Sequence, residues 1–263
     1  MTSNVLVLAG TADATRLAVV LDAAGRRVTS SFAGVTSVPT ARPGRVRSGG
    51  FGGPSGLATY LRAERFDAVI DATHPFAAHM PFHVAAACAE VGVRHCRLLR
   101  PPWIASAGDR WMGVASIDAA PDALVALGAR RVFLAVGRQS VAPFAAMVDR
   151  WFLVRSIEPL DLQLPHVESL LSRGPFDVDG EIKLLQMHKI DALVTKNAGG
   201  TATAAKLAAA RELGLPVVMV DRPPQPPGID VVPDVGAALA WLGADRPDRS
   251  PGASQSVGDL PTV

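Results

Sequence analysis

Residues able to do chemistry concentrate in two short segments that close apolar runs: Asp71-Ala-Thr-His-Pro-Phe-Ala-Ala-His79 and Thr195-Lys-Asn-Ala-Gly-Gly200. A histidine at the start of a turn, His74 beside Thr73, can donate to a ligand or move a proton, or can simply cap its own turn. Lys196, Asn197 and the backbone of Gly199 and Gly200 offer a cation, an amide and bare N–H groups, a set suited to carboxylates. Arg138 and Gln139, after Gly137, add to that set, as do Arg100, Arg155 and Arg222 at the ends of expected strands. Any one of these can be an ordinary surface residue. Five basic positions on one expected edge instead suggest a small polyanionic ligand.

The first part of the chain carries a different chemistry. Gly10-Thr11 after the opening apolar run would bring backbone N–H groups and a hydroxyl to a phosphate, with Ala12 and Asp13 beginning the helix that follows. Asp13 suits the helix dipole at least as well as a ligand. The full Gly-x-Gly-x-x-Gly pattern is missing. Dinucleotide sites that hold a ribose 2′-hydroxyl place an acid at the end of the second strand. Here that stretch is Thr29-Ser30-Ser31-Phe32-Ala33-Gly34, with no carboxylate, and Arg42 and Arg45 follow. Hydroxyls and basic residues there favour a 2′-phosphate, and so NADPH. Gly50 and Gly52 of a glycine-rich loop, with Ala72 and Thr73, share the same edge.

Other clusters point nowhere. His79 and His83 are four apart, but Pro81 lies between them and no third ligand is near, so no metal is expected. Cys88 and Cys96 have no paired spacing and read as reduced thiols.

The elements that must position these residues follow from hydrophobic patterning. The chain has 263 residues, 49% hydrophobic and 19% charged, enough for a real core. Short aliphatic runs alternate with helical patterns, which implies a parallel sheet with right-handed crossovers. The pattern then restarts. Asp67-Ala to Arg100-Pro and Asp191-Ala to Arg222-Pro are matched units, 33 and 31 steps long (100 − 67 and 222 − 191). They suggest a duplicated unit, with chance similarity between alanine-rich helices as the alternative. The expected fold is α/β, with two Rossmann-like domains over 1–122 and 123–243, mostly parallel sheets, and a ligand cleft between them. The first domain would hold NADPH and the second the substrate. A tail over 244–263, rich in Pro, Ser, Gly and Asp, is expected to be disordered. Within this frame a helix is expected from about Pro75 to Val91, kinked at Pro81. Another is expected after Gly137, and two short helical stretches over 166–188.

A net charge of +2 is too small to argue for nucleic acid. No apolar run approaches the ~18 residues of a membrane span, and the first is too short for a signal segment. A cytoplasmic protein acting as a monomer is the expectation.

The residues quoted so far also resemble a known family. "GTADA", "SFAG", "RSGGFGG", "DATHPFA", "LLRPPW", "LAVGRQ", "RGPF" with Glu181 downstream, "TKNAGG" and "KLAAARELGLPVVMVDRP", in this order, are similar to the precorrin-6A reductase family of cobalamin biosynthesis. The resemblance covers about Val5 to Leu242. It implies two Rossmann-like domains with the site between them. It also implies NADPH-dependent reduction of one C=C bond of precorrin-6A, giving precorrin-6B in the aerobic pathway, with a carboxylate-bearing tetrapyrrole as substrate. His74 and Lys196 are then the candidates for polarising the macrocycle or relaying a proton. One departure stands out: Val35 occupies a position where relatives often carry an arginine, so Arg42 or Arg45 would have to substitute. A non-redox tetrapyrrole-processing enzyme and a non-catalytic NADPH- or tetrapyrrole-binding protein on the same scaffold remain alternatives.

Overall fold

The computed structural model describes residues 3–33, 43–157, 164–172 and 174–244, with the backbone alone at Arg138. The candidates Gly34 and Arg42, together with Val35 and the tail beyond Ala244, lie outside the described residues.

The opening strand β1 (Asn4–Leu8) is wholly buried, as an aliphatic run between two helical layers must be. Its alternation divides two cores: Val5 and Val7 pack on one face of the sheet, Leu6 and Leu8 on the other. Helix α1 (Ala12–Ala23) follows, and Thr11 caps it by accepting from the Ala14 N–H. Ala14, Leu17, Ala18 and Leu21 form its buried stripe. The first half continues with β2 (Arg27–Phe32), β3 (Arg45–Ser48), α2 (Gly53–Glu64), β4 (Ala68–Asp71), α3 (Met80–Val91) and β5 (Arg94–Leu98). After β6 (Arg110–Val114) and α4 (Ala120–Ala126) come β7 (Arg131–Ala135), β8 (Trp151–Ser156), β9 (Val167–Leu171), α5 (Val178–Met187), β10 (Ala192–Lys196), α6 (Ala205–Glu212), β11 (Pro216–Val220), β12 (Asp230–Val232) and α7 (Val235–Gly243).

The strands form two six-stranded sheets, in the orders β12-β5-β4-β1-β2-β3 and β6-β11-β10-β7-β8-β9, and every pairing is parallel. The fold is therefore α/β with two Rossmann-like sheets. The repeated Asp-Ala pair does the same job in each. Asp67 accepts from the Asn4 N–H beside β1, and Asp191 accepts from the N–H groups of Arg130 and Arg131 beside β7. Each carboxylate ties the start of one central strand to its neighbour.

The sheets do not separate at a single cut between residues 122 and 123. β6 pairs with β11, and β12 returns from the far end of the chain to pair with β5. Val232, Ala238 and Leu242 accordingly belong to the core around β1. Each half, taken alone, leaves an unpaired parallel edge at β5 or β11, and the exchange covers both edges.

Three local expectations also change. Helix α3 starts at Met80, not Pro75, which places Pro81 in its first turn, where a missing N–H is harmless and no kink is needed. After Gly137 the chain makes two short 3₁₀ turns, Arg138–Ser140 and Ala142–Phe144, instead of an α-helix; Pro143 cannot donate to continue one. The stretch 166–188 holds one strand and one helix. Val167–Leu171 is drawn into register with β8, and α5 begins where Asp177 accepts from the Gly180 N–H.

Candidate active site

In open parallel sheets, ligand crevices lie beyond the strand carboxyl ends where strand order reverses. The reversals fall between β1 and β4 in the first sheet and between β7 and β10 in the second. The turns there carry Gly10 and Thr73-His74 in the first, and Gly137 and Lys196 in the second. Two cavities open at these turns, of about 580 Å³ and about 420 Å³. His74 and Lys196 line both, so the cavities adjoin at those two side chains.

The larger cavity is lined by Ser31, Ala33, Gly50, Gly52, Thr73 and Gln139, among others. Gln139, expected to face substrate, thus belongs to this cavity. At Gly49, Gly50, Gly52 and Gly53 an added Cβ would meet nothing within 4 Å, so this loop presents bare backbone. The other described first-half candidates do not line the cavity. Gly10 abuts the His74 turn, where an added Cβ would come 3.8 Å from the His74 nitrogen. The Thr11 hydroxyl donates to the Ala72 carbonyl while capping α1, which leaves it without a donor for phosphate. Ala12 is the exposed first residue of α1, and Ala72 is buried. Asp13 pairs with Arg100 at 3.2 Å and with Arg16 at 3.7 Å. Ser30 shares the β2 face of Val28, buried away from the cavity. Arg45 pairs with Glu64 at the amino end of β3, far from the ligand edge. Arg47, two residues on, stands there instead, its Nη1 donating to the Ser31 hydroxyl at 3.2 Å.

His74 is held by its own turn: Nδ1 accepts from the Phe76 N–H at 3.2 Å, so Nε2 carries the ring proton. Burial, reinforced by Arg100, Lys196, Arg222 and Arg97, pushes its imidazole down to about 4. His74 is therefore a neutral donor near pH 7. Beneath it lies a fully buried ion pair, Arg97 to Asp71 at 3.3 Å. Asp71 also accepts from the N–H and hydroxyl of Thr73, and Arg97 donates to the His74 carbonyl.

The smaller cavity is lined by Trp103, Arg155, Ser172, Phe176, Thr195 and Lys206, besides His74 and Lys196. Arg155 pairs with buried Glu181 at 2.8 Å, its guanidinium 4.0 Å above the Phe176 ring. Lys206 is buried, donates to the Thr203 carbonyl at 2.7 Å and lies 4.8 Å above Trp103. Burial drives its ammonium down to about 8; Glu181 opposes the shift and Arg155 adds to it. Burial also lowers the pKa of Lys196. The floor thus combines three cations with one carboxylate, an arrangement that attracts anions.

The remaining substrate-side candidates with described side chains are spent on the crossing between the sheets. Asn197 accepts from the Trp103 N–H and donates to the Trp103 carbonyl. Arg100 donates to the carbonyls of Ala198 and Gly199, and Arg222 to those of Asn197, Ala198 and Arg100. Gly199, at φ 68°, leaves no room for a side chain, because a Cβ would sit 2.0 Å from the Pro101 oxygen. At Gly200 a Cβ would crowd the Arg100 Cδ at 2.9 Å. The two matched Arg-Pro pairs of the sequence therefore meet each other, and neither arginine lines either of these two cavities. The side chain of Arg138 lies outside the described residues.

Lys206 was not anticipated, and its only sequence signal is a lone lysine in the inward phase of Ala-Lys-Leu-Ala-Ala-Ala. Arg47 was likewise hidden among the arginines around it. Among the described residues no group of three or more His, Cys, Asp or Glu could hold a metal, and no helix is long and apolar enough to cross a membrane.

Residues 4–243 match the family described as Precorrin-6x reductase CbiJ/CobK. The chain is 47% identical to a precorrin-6A reductase of Rhodococcus erythropolis, over 92% of this chain and 98% of that protein. It is 46% identical to one of Rhodobacter capsulatus, over 91% and 96%. A solved structure, "CobK precorrin-6A reductase", superposes with a TM-score of 0.86 at 45% identity, covering 92% of this chain and 96% of that one.

Proposed function

The chain belongs to the Precorrin-6x reductase CbiJ/CobK family, and from that premise we propose that it reduces one C=C bond of precorrin-6A, with NADPH as reductant and precorrin-6B as product, in cobalamin biosynthesis. The observation that carries this reading is the pair of adjoining cavities that share His74 and Lys196. One has bare glycine backbone and an acid-free strand end, which suits a phosphorylated dinucleotide. The other has a buried cationic floor between aromatic walls, which suits a flat, carboxylate-bearing ring.

A reduced nicotinamide cofactor held in the larger cavity, by the backbone of Gly50 and Gly52 and by Ser31 and Thr73, would supply a hydride to one carbon of the double bond. A proton must reach the other carbon. Lys196 stands at the junction of the cavities, and burial makes its ammonium a better acid than a solvated lysine. His74, neutral with its proton on Nε2, serves as a hydrogen-bond donor that orients or polarises the ring and does not release a proton itself. Arg155 and Lys206 hold substrate carboxylates, and the walls exclude water from the contact between the two rings.

Anaerobic mixing of the purified chain with NADPH and precorrin-6A tests this directly. The expected result is one NADPH oxidised per macrocycle, with a matching change in the pigment spectrum. No oxidation with authentic substrate refutes the reading. Tight binding without turnover would favour a carrier protein.

A further inference from the structure

We propose that Arg47 is the residue that selects a 2′-phosphorylated dinucleotide over its unphosphorylated counterpart. The inference rests on reading the larger cavity as the dinucleotide site. Arg47 lies in β3 directly across from Ser31, in the register Ser31↔Arg47 at the carboxyl edge of β2. That edge is where an adenine-side ribose is recognised in doubly wound folds, and an acid there would hold a free 2′-hydroxyl. None stands at Ser31-Phe32-Ala33.

Its surroundings are built for an anion that the protein does not itself provide. Nη1 donates to the Ser31 hydroxyl at 3.2 Å and to the Gly49 carbonyl at 2.5 Å, and Nη2 to the Gly50 carbonyl at 2.7 Å. The guanidinium lies 3.8 Å above the Phe51 ring and 5.2 Å from that of Tyr60. Carbonyls and an aromatic face fix its plane, yet among the described residues no carboxylate pairs with it. Three of its five N–H groups are engaged in these bonds. The two left, one on Nε and one on Nη2, belong to the nitrogens with which Arg211 in this same protein forms a side-by-side fork on Asp109, at 2.9 and 3.0 Å. Such a fork matches two oxygens of a phosphate monoester. Arg47 stands behind the cavity wall and not in it, but Ser31, Gly49, Gly50 and Phe51, the residues it touches, all line the cavity. Arg45 points to the same side from the other end of the strand and is already neutralised by Glu64.

The test is a fluorescence titration of the full chain with NADPH and with NADH, without macrocycle, alongside calorimetry with 2′,5′-ADP and 5′-AMP. Wild type should prefer the phosphorylated member of each pair. Arg47→Gln should weaken NADPH and 2′,5′-ADP by about 30-fold or more, as loss of a bidentate charged contact does, and NADH by no more than about threefold. Arg45→Gln should leave the preference intact. Equal losses for both nucleotides, or a preference lost through Arg45→Gln instead, would overturn the proposal while leaving the dinucleotide reading standing. Should Arg47→Gln not fold by circular dichroism, Arg47→Lys decides: an unchanged NADPH-to-NADH ratio sinks the idea. A wild-type chain that binds neither nucleotide overturns both the site reading and the proposal.

Discussion

The turn after β4 and the loop after β10 occupy equivalent places in the two sheets, yet they divide their polar groups in opposite ways. After β4 the supporting charge is underneath: Asp71 and Arg97 pair in the core, Asp71 grips Thr73, and His74 is presented on top. After β10 the support comes from the side. Asn197 clasps Trp103, while Arg100 and Arg222 gather the carbonyls of Asn197, Ala198 and Gly199, and Lys196 is the side chain that remains in the cavities. Each turn thus spends most of its polar residues on holding itself and leaves one for chemistry. A motif rich in Arg, Asn and Gly reads as a ligand cradle, but most of its hydrogen bonds are already satisfied by the chain.

The comparison can be broken most severely at the crossing. Gly199→Ala should destabilise the protein by about 4 kcal/mol or more, because backbone must move to admit a Cβ at a left-handed residue. Urea unfolding checks this, and a loss below about 1 kcal/mol would show that the crossing yields easily. Beneath the first turn, Asp71→Leu should cost about 3–5 kcal/mol by stranding the Arg97 charge. The double variant Asp71→Leu with Arg97→Met should recover most of that loss; no recovery would mean that the pair matters through Thr73 and not through charge.

Neighbouring residues sharpen the contrast. Asn197→Ala removes two hydrogen bonds to Trp103 and should lower stability by about 1–3 kcal/mol, whereas Lys196→Ala should leave stability intact and lower turnover about tenfold to hundredfold. Equal effects of the two on stability, read by thermal melts beside steady-state rates, would erase the distinction.

The smallest effect concerns pH. Lys206 titrates near 8 folded, against an ordinary value of 10.5. Between those values the unfolded chain binds more protons than the folded one, so this group makes stability rise with pH from about 8 to 10.5. Lys206→Met should flatten that rise and raise Tm by a few degrees, while increasing KM for the macrocycle. In wild type, KM should climb as pH passes about 8 and the floor loses a charge. An unchanged KM in the variant would remove Lys206 from the binding floor.

The alternation of strands and helices, the repeat and the edge that carries the loops were all legible, because each depends on near neighbours in sequence. Aliphatic runs the length of one strand have few ways to be buried, and Asp67 and Asp191 show that even the matched Asp-Ala pairs marked a shared structural role. His74 and Lys196 were legible for the same reason, since they follow central strands at the points where strand order reverses. Arg47, which we propose for the 2′-phosphate, could not be singled out because the three arginines at 42, 45 and 47 look alike until register sets one of them opposite Ser31. Arg100 and Arg222 looked like ligand contacts because a strand-end arginine gives no sign of which carbonyls will reach it.

By itself, then, the sequence determined two parallel α/β units and the two turns that meet at the cavities, since hydrophobic period and turn chemistry are local properties. Only the tertiary structure decided that β6 and β12 exchange sheets, and which cations hold the chain and which stay open to a ligand. A strand's pattern says that it will pair but not with whom. That choice depends on uncovered edges more than a hundred residues apart, and on which carbonyls happen to lie within reach once those edges close.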